Sequence, residues 1–153
     1  MGQQAFGRAC LEEVMKKGKD EVVAVYCAPD KGNRPIDPIK EFALEQALPV
    51  VQPRNFKDKE VLDEMRSYNS DLCVMAYVTL FVPEAAREIP KQGSICFHPS
   101  LLPKHRGPSS INWAIISGAT KTGLTIFWPS DGLDEGDILL PVSYTHLTLP
   151  TKA

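Results

Sequence analysis

Ser94-Ile95-Cys96-Phe97-His98-Pro99-Ser100-Leu101-Leu102-Pro103-Lys104-His105-Arg106-Gly107 reads as a short strand that runs into a polar, proline-braced loop. A helix-like run follows from Pro108. The residue before a proline avoids the helical region, so Pro99 keeps His98 extended and Pro103 does the same for Leu102. The loop therefore holds an imidazole in a set direction, while Leu101 and Leu102 can anchor it or line a pocket. Strand, loop and helix in this order are the unit from which α/β proteins are built, and the loop is where they keep their chemistry.

Working outward, the same alternation recurs. Before the loop, Phe6 to Lys17 has apolar residues at helical spacing and Gly18 as a C-cap. Glu21 to Ala28 reads as a buried strand, and Pro38 opens a helix running to about Ala47. Pro49 to Gln52 is a short strand, and Asp58 caps a helix that continues through Ser67. Asp71 to Tyr77 is a strand, and Pro83 opens a short helix. After the loop come a helix over Ser109–Ser117, a strand over Thr122–Trp128, an acidic loop over Pro129–Gly136 and a strand from Asp137 to Leu140. This order predicts an α/β fold with a doubly wound, mostly parallel sheet, whose ligands lie at the carboxyl ends of its strands. The loops Tyr77–Val82, His98–Gly107 and Pro129–Gly136 fall there.

Both ends depart from that pattern. Met1 to Gly7 reads as a strand-to-helix turn with no strand before it, so the sheet is expected to lack its first strand. Val142 to Thr151 resembles the translation of a transposase-type sequencing-library adapter. On that reading residues 1–141 are a partial domain, 142–153 are a non-native tail, and His146 has no biological role.

The chain has 153 residues and a formal charge of -2, enough length for one packed domain and no general attraction for nucleic acid or anionic membrane. Lys104, His105 and Arg106 form a local basic patch, either a solvated loop or an attractor for an anionic ligand. No apolar run approaches the roughly 20 residues that span a bilayer, so no membrane partner is expected. The first residues are not a secretory signal and the four cysteines match no zinc spacing, which points to free thiols in a cytoplasmic protein.

His98 is the natural general acid or base near neutral pH. Asp134, in Ser130-Asp131-Gly132-Leu133-Asp134-Glu135-Gly136-Asp137, could orient it or take a proton through water, although an acidic turn is also ordinary surface chemistry. An EF-hand fails, because Leu133, Glu135 and Val142 stand at liganding positions. Trp113 and Trp128 read as core residues. The Gly2–Gly7 turn is only weakly like a phosphate-cradling loop.

Taken together, His-Pro-Ser-Leu-Leu-Pro-x-x-Arg-Gly followed by Asp-x-Gly-Leu-Asp-x-Gly-Asp resembles the N-terminal catalytic domain of the formyltransferase family. The resemblance runs from about Gly2 to Leu140 and implies a Rossmann-like formyltransferase fold. It implies that His98 and Asp134 are catalytic, that Ser100, Leu101, Leu102 and Pro103 contact folate, and that Leu80, Phe81 and Val82 lie along the pterin. It further implies 10-formyltetrahydrofolate as formyl donor, with no metal. The leading reading is transfer to an amine such as initiator methionyl-tRNA. Hydrolysis of the donor is the alternative, and an inactive folate-binding fragment the third. A fused C-terminal domain missing from this chain is part of the expectation. Cys96 stands where most transferases of the family carry an oxyanion-binding Asn, and a thiol is a poor donor. In this it is like the hydrolase domain of 10-formyltetrahydrofolate dehydrogenase, which has an apolar residue there.

Overall fold

The computed structural model describes residues 1–32 and 34–145. They fall in two compact units, one from Met1 to Ser94 and one from Ile95 onward.

The first unit opens with α1 (Gln4–Lys17), which stops at Gly18 in a left-handed conformation (φ 59°). There the glycine N–H returns to the Met15 carbonyl at 3.1 Å. Its inner face meets α2 (Pro38–Glu45), and Leu11, Ile39 and Ala43 bury Val25 and Cys27 between them. Strand β1 (Val25–Tyr26) pairs in parallel with β2 (Val50–Val51). On the other side of β1, the Gly2 N–H donates to the Tyr26 carbonyl at 3.0 Å, and the Met1 carbonyl accepts from Ala76 at 2.9 Å. Met1 and Gly2, read as a turn, therefore carry strand pairing between β1 and the end of β3 (Cys73–Met75). A Cβ on Gly2 would lie 2.6 Å from the Ala76 oxygen, so the glycine is required by close approach. The run Glu21–Ala28 forms ladder only at Val25–Tyr26, because pairing needs a neighbouring backbone and not only an apolar sequence.

Asp37 caps α2, its Oδ1 accepting from the Ile39 N–H at 3.1 Å and also from the Gln4 N–H at 2.9 Å. The start of α1, considered for a phosphate, thus holds this chain's own carboxylate. Asp58 stands before α3 (Lys59–Ser67) as expected, but its carboxylate makes no cap bond and accepts instead from the Asn55 amide at 3.0 Å. Pro83 precedes α4 (Glu84–Arg87).

Cys27 is 5% exposed. Burial, then the nearby Asp37, pushes its thiol up to about 11 from 9.0. The folded chain keeps a proton that the unfolded chain gives up, so this contribution is complete below pH 9.0 and is lost as pH rises through about 11. Urea denaturation from about pH 8 to about pH 11 should show the parent losing stability relative to Cys27→Ala. Parallel curves for the two proteins would refute the shift.

The second unit comprises the end of β4 (Ser94–His98), α5 (Ser110–Ile116), β5 (Thr122–Phe127) and β6 (Ile138–Tyr144). Here the pairing is antiparallel, with His98 opposite Thr125 and Cys96 opposite Phe127. Strand β6 pairs with β5 from Phe127↔Ile138 to Thr122↔Tyr144, so it extends beyond the expected Leu140 and is exposed along all seven residues. The sequence order predicted alternating elements correctly, but the antiparallel direction of these strands was not legible in it. Helix α5 buries Ser110 and Ala114, while Trp113 is 56% exposed, against the expectation that it is core. Residues 146–153, which include His146 and most of the suspected tail, lie outside the described residues. Among the described residues no helix is long and apolar enough to cross a membrane.

Candidate active site

His98 is the last residue of β4, and the loop after it folds back on its ring. The imidazole is nearly closed off from solvent, with a side chain 8% exposed. Its Nε2 lies 2.8 Å from the His105 carbonyl oxygen. A carbonyl oxygen only accepts, so Nε2 carries a proton in this arrangement. Its Nδ1 lies 3.4 Å from Asp134 Oδ2. The same Asp134 oxygen accepts from the Gly107 N–H at 2.6 Å.

Two left-handed residues and one glycine make this possible. His105 (φ 53°) turns its carbonyl inward, and Asp134 (φ 47°) turns its carboxylate toward the loop. Asp readily adopts this conformation. Gly107 (φ 82°) bends the chain so that its N–H faces Asp134. Arg106 and Glu135, the neighbours of Gly107 and Asp134, pair at 2.7 Å at the exposed rim. Half-exposed pairs of this kind contribute at most about 1 kcal/mol. Arg106 is thereby committed to Glu135 rather than presented as free charge.

Of the expected folate contacts in this loop, Leu101 and Leu102 are half-buried and Pro103 is exposed. Ser100 differs. It has no exposed surface, and its hydroxyl donates to the Lys104 carbonyl at 2.6 Å. Its side chain shapes the loop rather than meeting a ligand, because its one donor is already used and no solvent reaches it. Cys96, two residues before His98, lies on the same face of β4, since side chains alternate along a strand. Its thiol lies 3.6 Å from the Phe97 carbonyl.

Leu80, Phe81 and Val82 belong to the first unit. There Leu80 and Phe81 line a cleft of about 340 Å³ with Arg54, Asn55 and Lys57. Phe81 is 64% exposed and the Lys57 ammonium stands 5.7 Å from its ring centre. Val82 is buried, and its carbonyl accepts from Arg87 at 3.0 Å, so it supports the segment from beneath. The cleft's basic wall, Arg54 and Lys57, carries no distinctive signal in the sequence. The carbonyl of His105 was missed, because a main-chain acceptor leaves no trace in residue type.

The sequence profile of the formyl transferase family matches residues 1–148. The chain belongs to the formyl transferase family. Among curated proteins, this formyl transferase chain is 41% identical over 145 residues to the cytosolic 10-formyltetrahydrofolate dehydrogenase of Xenopus tropicalis, covering 92% of this chain and 16% of that protein. It is 42% identical over 147 residues to the methionyl-tRNA formyltransferase of Alkaliphilus oremlandii, covering 92% of this chain and 46% of that protein. The chain thus spans from about one sixth to just under half of these relatives. Among solved structures, phosphoribosylglycinamide formyltransferase from Bacillus halodurans superposes with a TM-score of 0.81 at 21% identity, over 98% of this chain and 80% of that one. A formyltetrahydrofolate deformylase from Pseudomonas syringae gives a TM-score of 0.74 at 20% identity, over 94% of this chain and 48% of that one. The doubly wound, Rossmann-like α/β class predicted from the sequence is therefore the fold of this formyl transferase domain.

Proposed function

We propose that this chain releases the formyl group of 10-formyltetrahydrofolate by acyl transfer, with His98 and Asp134 as its acid–base pair. The observation that supports this most directly is the placement of His98. One ring nitrogen donates to a carbonyl oxygen at 2.8 Å, while the other faces a carboxylate at 3.4 Å. A formyl oxygen is the same kind of acceptor as the His105 carbonyl. On this reading it takes over the Nε2–H when the donor enters, and the bond strengthens as that oxygen becomes an oxyanion. The acceptor attacks the formyl carbon, and the carbon–N10 bond breaks with its electron pair on N10, which takes the Nε2 proton of His98. The acceptor's proton passes through water to Asp134, which supplies it to Nδ1 as Nε2 gives up its own. Leu101, Leu102 and Pro103 are the proposed folate contacts of the second unit, and Leu80 and Phe81 are proposed contacts in the first.

Water is the acceptor we favour, giving formate and tetrahydrofolate. Cys96 supports this reading, because at this position the chain resembles the hydrolase domain of 10-formyltetrahydrofolate dehydrogenase rather than the transferases, most of which carry Asn. Transfer to an amine such as initiator methionyl-tRNA is the second reading, and the Alkaliphilus relative favours it. The test is to incubate the chain with 10-formyltetrahydrofolate alone and with initiator methionyl-tRNA, following formate and formyl-methionine. Formate release without acceptor is the expected result. Product only when the tRNA is present would reject hydrolysis, and no product in either vessel would reject the proposal.

A further inference from the structure

We propose that Thr125 is a positioning residue for His98, holding the loop in register through its hydroxyl. This rests on the assignment of His98 above, and one arm of the experiment below is independent of it.

Thr125 has no exposed surface and lies opposite His98 at the end of the β4–β5 ladder. Beyond His98 the loop leaves the ladder, and its backbone groups lose their strand partners. The Thr125 hydroxyl supplies replacements, donating to the Ser100 carbonyl at 2.7 Å and accepting from the Leu102 N–H at 3.1 Å. A hydroxyl has one proton to give and lone pairs to receive, so one side chain meets both groups. Two residues earlier on the same face of β5, Gly123 leaves space for the residue between them. A Cβ there would run into the Val142 carbonyl and lie 2.8 Å from Leu101 Cδ2. One face of β5 is thus a template for Ser100, Leu101 and Leu102.

The constraint passes onward. Ser100, pinned by Thr125, donates its own hydroxyl to the Lys104 carbonyl at 2.6 Å. Lys104 precedes His105, whose carbonyl holds His98 Nε2. Loss of the Thr125 hydroxyl frees the far side of the loop, and the imidazole loses its fixed direction. Misplacement by about 1 Å can lower a rate by roughly 10²-fold.

Thr125→Val keeps the shape and removes the hydroxyl, whereas Thr125→Ser keeps the hydroxyl and removes a methyl group. We expect Thr125→Val to lower kcat by about 10²-fold, and Thr125→Ser to stay within about threefold of the parent in kcat. In nitrogen-15 spectra, the His98 Nε2–H, assigned by its absence in His98→Asn, should be protected from exchange in the parent and in Thr125→Ser. It should be lost in Thr125→Val. Thr125→Ala, checked by circular dichroism, takes the place of Thr125→Val if that variant does not fold. Unchanged turnover and an unchanged ring signal in the hydroxyl-free variant would overturn the proposal. So would an equal loss in Thr125→Ser, which would leave only a packing role. Should His98→Asn itself retain turnover, the functional assignment falls, and the ring signal alone decides the role of Thr125.

Discussion

His98→Asn should lower formate release from 10-formyltetrahydrofolate by about 10³-fold, while equilibrium binding of a folate analogue changes by less than about threefold. General acid–base groups contribute about 10²–10⁴ in rate and a single oxyanion donor about 10²–10³, and His98 is proposed to serve in both capacities. Asn is the informative replacement. Its amide overlays Nδ1, the ring atom that faces Asp134, whereas Nε2 lies 2.8 Å from the His105 carbonyl in the parent, so the binding measurement checks the shape of the loop. Asn has no group that can exchange a proton near neutral pH. Kinetics and binding together separate lost chemistry from lost shape. A rate within about tenfold of the parent would remove His98 from the mechanism.

Asp134→Asn should reduce kcat by about 10²-fold, with little loss of stability. The amide oxygen still accepts from the Gly107 N–H, which donates to Asp134 Oδ2 at 2.6 Å in the parent. Asp134→Ala should lose as much activity and also stability, by about 1–3 kcal/mol, because that half-buried N–H is left without its acceptor. Urea denaturation reads the second effect and turnover the first. The His98→Asn/Asp134→Asn double variant should be no slower than His98→Asn alone, because Asp134 is proposed to work through the imidazole. Fully multiplicative losses would show that the carboxylate acts on the substrate by a separate route.

The residues with titrating or turn-forming chemistry were the readable part of this chain. His98, Asp134 and the glycine after Arg106 stand out by residue type, and the structure brings them together within the second unit. The helix over Phe6–Lys17 and its Gly18 stop were readable for the same reason, since an apolar stripe and an αL glycine are local properties. Thr125 was not. Hydropathy would bury Leu124 and Ile126 of β5, yet the strand buries Gly123, Thr125 and Phe127, because that face must admit a loop backbone as well as apolar side chains. Helix α5 misled in a similar way. Ile111, Trp113 and Ile116 point around the helix, and its close contact is made by the small residues Ser110 and Ala114. Strand direction in the second unit was hidden as well, since pairing partners are set by the path of the connections and not by the strand's own residues.

The exposure of Trp113 also has an optical consequence. It is 56% exposed, whereas Trp128 is half-buried and donates its main-chain N–H to the Asp137 carbonyl at 2.9 Å. The two indoles therefore differ in access to acrylamide, and Trp113 is the one that quenches first. In Trp113→Phe the emission comes from Trp128 alone, three residues before Asp131 on the chain segment that leads to Asp134. The protein then carries its own fluorophore beside the acidic loop, and ligand entry can be followed without a label.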